Sequence, residues 1–70
     1  MRIEWKDNSA IQVRIENGET IISANRAGLL SLAGQFIALA EEPAGAHIHY
    51  DRWNSLKKGS TELIVERIEE

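Results

Sequence analysis

Apolar and polar residues alternate most regularly between Ile11 and Glu16, with Ile11, Val13 and Ile15 in one phase and Gln12, Arg14 and Glu16 in the other. A period of two predicts a half-buried strand. Asn17-Gly18 follows, a pair suited to a type I′ turn because both central positions of that turn need positive φ. Such a turn places Ile15 opposite Thr20 and Val13 opposite Ile22, so Ile22 is expected on the buried face. Ile21 then lies opposite Arg14 on the other side. Ahead of this hairpin, Arg2 to Trp5 is short and alternating and reads as an edge strand, closed by the polar turn Lys6-Asp7-Asn8-Ser9.

The period changes after Ala24. Asn25 is the preferred N-cap, its side-chain oxygen free to accept from amides of the first helical turn. A helix is expected to run from there to about Glu41, stopped by Glu42-Pro43, since the residue before proline is pushed out of the α region. At 100° per residue, Leu29, Leu30, Leu32, Ala33, Phe36, Ile37, Leu39 and Ala40 fall on one half of the wheel. Ser31, Gly34, Gln35, Ala38 and Glu41 fall on the other. The first set is expected to face the core. Gly34 costs up to about 1 kcal/mol against alanine inside a helix, which another backbone passing close to it would explain.

Alternation returns at Ala46, Ile48 and Tyr50 against His47, His49 and Asp51, a second half-buried strand. Arg52 to Gly59 connects it to a last strand, Thr61 to Ile68. There Leu63 and Val65 share one phase while Ile64, Glu66 and Ile68 share the other. Both phases are partly apolar, which suits a central strand. The predicted order is βββαββ. One helix covering one face of an antiparallel sheet makes a two-layer α+β sandwich, with residues 1–70 as a single domain.

Composition narrows the function. Seventy residues without a cysteine have neither disulfides nor thiolate metal sites to support a small core. A domain this short buries only about 60% of the surface its unfolded chain exposes. A partner surface, a second copy of the chain included, would therefore help it. The net charge of −3 and the scattered basic residues argue against nucleic acid. The apolar stretch Ala27 to Ala40 is too short and too interrupted to span a bilayer. The first residues lack the apolar run of a signal peptide, which points to the cytoplasm.

Chemistry-bearing residues are few. His47, His49 and Asp51 are expected to project from one strand face, and a His-x-His pair can present two imidazoles to one metal ion. Along a strand rising about 3.3 Å per residue, however, His47 and Asp51 lie some 13 Å apart. Zinc ligands must come within about 2.0–2.2 Å of the ion. A two-histidine site would need a carboxylate from elsewhere, such as Glu62 or Glu66. None of the serines sits in a Gly-x-Ser-x-Gly elbow, and so short a chain has little material for a catalytic cleft. The expectation is a protein without cofactor or catalytic residue. Trp53 stands in a polar connection, where it either folds over the edge of the core, the favoured reading, or is presented to a partner.

The spaced pattern His47-x-His49-x-Asp51, Asn54-Ser55-Leu56, Gly59-Ser60-x-Glu62-Leu63 and a closing apolar strand resembles immunity protein family 32 of the bacterial polymorphic toxin systems. Asn25-Arg26-Ala27-Gly28-Leu29 ahead of an Ala/Leu-rich helix fits the same family. The resemblance covers Ser23 to Glu66; the part from Arg2 to Ile22 is generic. It implies a non-enzymatic protein that binds a cognate toxin domain in the cytoplasm and blocks it. The partner face would be formed by His47, His49, Asp51, Glu62 and Glu66, with Trp53 as an anchor. Two other readings stand beside it: a metal-binding module or metal-dependent hydrolase built on His47 and His49, and an accessory domain that self-associates through a sheet edge or the outer side of the helix.

Overall fold

The computed structural model describes residues 1–70 as two antiparallel strand pairs and one helix: β1 (Ile11–Glu16), β2 (Glu19–Ala24), α1 (Arg26–Ala40), β3 (His47–Tyr50) and β4 (Leu63–Glu66). The order is ββαββ. The expected edge strand at Arg2–Trp5 does not form, and the strands make two separate two-stranded sheets, β1–β2 and β3–β4, where one continuous sheet was expected.

Local chemistry accounts for the hairpin. Asn17 and Gly18 take φ of 51° and 80°, as the type I′ turn requires. The register pairs Val13 with Ile22, Arg14 with Ile21 and Ile15 with Thr20, as the turn dictates. Burial along the hairpin is uneven. Ile11 and Val13 are buried, but Ile15 and Ile22 stay 59% and 40% exposed, contrary to expectation. Correct phase alone buries neither Ile15, next to the turn, nor Ile22, which lies across the ladder from the buried Val13.

The two sheets are joined through the stretch that leads into β4. Lys57 N donates to Ile11 O (2.8 Å), Thr61 N donates to Val13 O (2.8 Å), and Val13 N donates to Ser60 Oγ (3.2 Å). This stretch therefore lies along the edge of β1 that β2 leaves free. At the other end, Gly45 N donates to Arg67 O and Arg67 N to Ala46 O, which extends the β3–β4 ladder beyond the strands.

Asn25 caps α1 as expected and does more. Its Oδ1 accepts from Gly28 N (2.8 Å) and from Ala10 N (3.0 Å), while its Nδ2 donates to Asn8 O (2.8 Å). One side chain thus ties the helix start to the segment before β1. The close backbone approach falls at Gly28 instead of Gly34: a Cβ on Gly28 would sit 2.8 Å from Ala10 O, whereas one on Gly34 would meet nothing within 4 Å.

The inward face of α1 also differs from expectation. Gly28, Ser31, Leu32, Gln35 and Leu39 are buried, a stripe turned by roughly 110° from the apolar half of the wheel. Of the eight residues expected inside, Leu32 and Leu39 are there. Two polar residues take the remaining central places because the N-terminal segment satisfies them. Ser31 Oγ accepts from Lys6 N (2.8 Å) and donates to Ala27 O (2.8 Å). Gln35 Nε2 donates to Glu4 O, and Gln35 Oε1 accepts from Tyr50 Oη (2.7 Å). Residues Arg2–Trp5 thus lie against helix side chains, which use the polar groups a strand partner would have used. The core comprises Ile11, Val13, Leu32, Leu39, Ile48, Tyr50 and Leu56, with Trp5, Ala24, Ala46, Leu63 and Val65 packed around it.

Candidate functional site

The outer side of β3–β4 is built by strict alternation. Ile48 and Tyr50 are buried, so His47 and His49 on the opposite phase are exposed. β4 does the same, with Leu63 and Val65 half-buried and Ile64 and Glu66 exposed. The antiparallel register sets His47 beside Glu66 and His49 beside Ile64. The two imidazole rings stand edge to face with centroids 4.9 Å apart. His47 Nδ1 lies 3.0 Å from Gly45 O, which holds that ring down. The result is a small mixed surface of two imidazoles, one carboxylate and one aliphatic side chain.

Asp51 does not share this surface. The strand ends at Tyr50, and the Asp51 carboxylate turns back to cap the connection: Oδ1 accepts from Trp53 N (2.9 Å) and Asn54 N (3.1 Å). Its carbonyl accepts from the amides of Ser55 and Leu56. An aspartate at such a position replaces a backbone acceptor and fixes the turn. Asn54 Nδ2 donates to His49 O (3.3 Å), tying the turn to β3.

That turn presents Trp53. The expectation that its indole covers the core edge is overturned: Trp53 is 81% exposed, the most open large apolar side chain in the molecule. The Arg52 guanidinium lies 4.8 Å from the centre of its ring, a cation–π contact that orients the indole without covering it. Leu56, three residues on, fills the core instead. Glu62 is exposed just ahead of β4.

Ile64 on β4 and Ile68 just past it are also open, at 58% and 72% exposure. Their phase is visible in the sequence but suggests a central strand; β4 in fact has β3 as its sole ladder partner. No three His, Asp or Glu side chains gather where one ion could bind them. Glu66 stands near His47, and no further carboxylate joins the pair.

Two hollows border the N-terminal segment. The larger, about 530 Å³, lies between Glu4, Trp5, Lys6 and the helix residues Leu30, Gly34 and Ala38. The smaller, about 260 Å³, touches His49 and Asn54 and is otherwise lined by Ile3, Trp5, Ile48 and Tyr50. The Tyr50 ring packs edge-on with those of Trp5 and Phe36, at centroid distances of 6.1 and 6.5 Å. Burial pushes the Tyr50 hydroxyl up to about 12, so it is a neutral hydrogen-bond donor at physiological pH. No helix is long and apolar enough to cross a membrane.

The model of a known family, described as Immunity protein 32, matches residues 19–68. No curated protein and no solved structure matches the chain. The matched stretch runs from β2 through α1 to the end of the β3–β4 ladder, and it contains the imidazole face, the Asp51 cap and Trp53. Immunity proteins as a class act on protein toxins and are in general non-catalytic. The chain belongs to the Immunity protein 32 family.

Proposed function

We propose that this protein neutralises a cognate toxin domain by direct binding, and that the outer side of β3–β4 with the Trp53 turn is the surface it uses. Trp53 carries the reading. A large indole, 81% exposed, stands on a turn that Asp51 has already hydrogen-bonded into shape. Ordering a side chain at an interface costs free energy, and a turn fixed beforehand reduces that cost. Tryptophan is also among the residues that most often dominate binding energy. In this reading His47, His49 and Glu66 on β3–β4 supply polar contacts, Ile64 an apolar one, and Glu62 a carboxylate at the entry to β4. The net charge of −3 favours a basic partner and would speed encounter with it. Blocking by contact needs no chemistry from this chain, and its address in this reading is the cytoplasm, where the toxin would otherwise act.

The test is co-expression with candidate toxin domains encoded by neighbouring genes. Trp53→Ala should weaken the complex by about 30-fold or more, as loss of an interface anchor does, with an unchanged melting temperature because the indole supports no core. His47→Ala and His49→Ala together should weaken it further. Asp51→Ala should act through loss of the turn, and therefore lower binding and stability at once. Full protection by a folded triple variant at His47, His49 and Trp53 would move the interface elsewhere.

A further inference from the structure

The solvent side of α1 has no explanation within one copy of the chain. Between Arg26 and Glu41 the helix carries no charge, and its two polar side chains, Ser31 and Gln35, are buried and internally bonded. What faces water is Leu29, Leu30, Ala33, Phe36, Ile37 and Ala40. Ile37 is 69% exposed and Leu29 54%. At 100° per residue these six lie within roughly 120° of each other, with Ala33 at the centre. A helix apolar on all sides belongs in an interior.

We propose that this face is a dimer interface, covered by the same face of a second copy with the two helices antiparallel. Two observations select that occupant, and a third is compatible with it. The first is symmetry along the helix. About Ala33, Leu29 mirrors Ile37 and Leu30 mirrors Phe36, large apolar residues at matching distances from a small centre. A two-fold interface needs such self-complementarity, residue i meeting j while j meets i. The small central residue lets the helix axes approach. The second is charge. The same operation brings Arg26 of one copy beside Glu41 of the other, at both ends. Neither residue takes part in an ion pair within its own chain. The third is area. The chain exposes 5166 Å², against about 4,400 Å² expected of a folded monomer of 7.9 kDa. The excess belongs to the whole chain, Trp53, Ile15 and Ile68 included, and is of the size that a standard interface removes, roughly 800 Å² per partner.

The inference is independent of toxin binding, since the helix face shares no residue with the β3–β4 surface. Sedimentation equilibrium on the full chain should show a reversible dimer forming between about 1 μM and 1 mM, as small apolar interfaces do. Ile37→Glu should give a folded monomer with the same circular dichroism. Arg26→Glu should weaken the dimer, and Arg26→Glu with Glu41→Arg should restore it. The chain is free of cysteine, so Ala33→Cys provides a positional probe. Mild oxidation should link Ala33→Cys to itself, and Leu29→Cys to Ile37→Cys in a mixture, while Leu29→Cys alone links poorly. A strict monomer at 1 mM, failure of the charge reversal to restore dimers, or a monomer that binds phosphatidylcholine vesicles through this face would each overturn the proposal.

Discussion

At the scale of single residues, stability is concentrated in a few side chains that satisfy several groups each. Asn25 serves two amides and one carbonyl. Asn25→Ala should therefore cost more than an ordinary cap, about 2 kcal/mol, read as a lower urea midpoint with an unchanged slope. The two helical glycines should respond in opposite directions. Gly28→Ala forces a methyl to within 2.8 Å of Ala10 O and should destabilise by about 1–3 kcal/mol. Gly34→Ala meets open space and should stabilise by up to about 1 kcal/mol. Tyr50 gives a pH signature. Its hydroxyl is raised from 10.0 to about 12 by burial, so the folded state holds that proton more tightly than the unfolded chain. Its contribution is complete below about pH 10 and is lost as pH rises toward 12. Tyr50→Phe should remove that alkaline component from a pH series of urea midpoints. It should also cost about 1–3 kcal/mol at neutral pH, because Gln35 Oε1 loses its donor.

At the scale of elements, the segment before β1 is the unusual part. It has no ladder partners, yet it supplies Lys6 N to Ser31, Glu4 O to Gln35, and the Trp5 ring to Tyr50. Deleting residues 1–5 would strip Gln35 and Tyr50 of those neighbours. The melting temperature should fall by about 10 °C or more, given that 1 kcal/mol moves a domain of this size by about 4–8 °C. A drop of only a degree or two would show that this segment is merely laid on the surface. The β3–β4 pair behaves differently. Its outward residues take no part in the core, so substitutions at His47, His49 and Ile64 should leave the melting temperature within a few degrees while they alter binding.

At the scale of the whole molecule, a thin body of 31 × 30 × 19 Å buries only 10 of its 70 residues, so its stability depends strongly on what covers it. A partner present at about 100 times its dissociation constant adds about 2.7 kcal/mol. For a domain this small that is a rise in melting temperature of about 10 °C or more. Calorimetry with and without the toxin domain should show it, and a complex that leaves the transition unmoved would contradict binding to the folded state. The flat shape carries two exposed surfaces that share no residue: the imidazoles and Trp53 on and beside β3–β4, and the uncharged strip on α1.

What could be read along the chain was local. Asn17-Gly18 set the hairpin register because positive φ is a property of two residues. Asn25 announced the helix start, and the His47–Tyr50 alternation announced which imidazoles face out, because capping and pleating act over a few positions. The spaced motif from Ser23 onward pointed to the family by the same kind of short-range pattern. Tertiary structure decided which side of α1 turns inward. Both sides of the helix are apolar enough to be buried, and the choice fell to the side where Lys6, Glu4 and Tyr50 could satisfy Ser31 and Gln35. It also decided that Leu56, not Trp53, fills the core, that Asp51 bends back as a cap, and that Arg2–Trp5 pairs with helix side chains instead of a strand. Each of those outcomes depends on polar partners far away in sequence, and periodicity does not record where such partners will be.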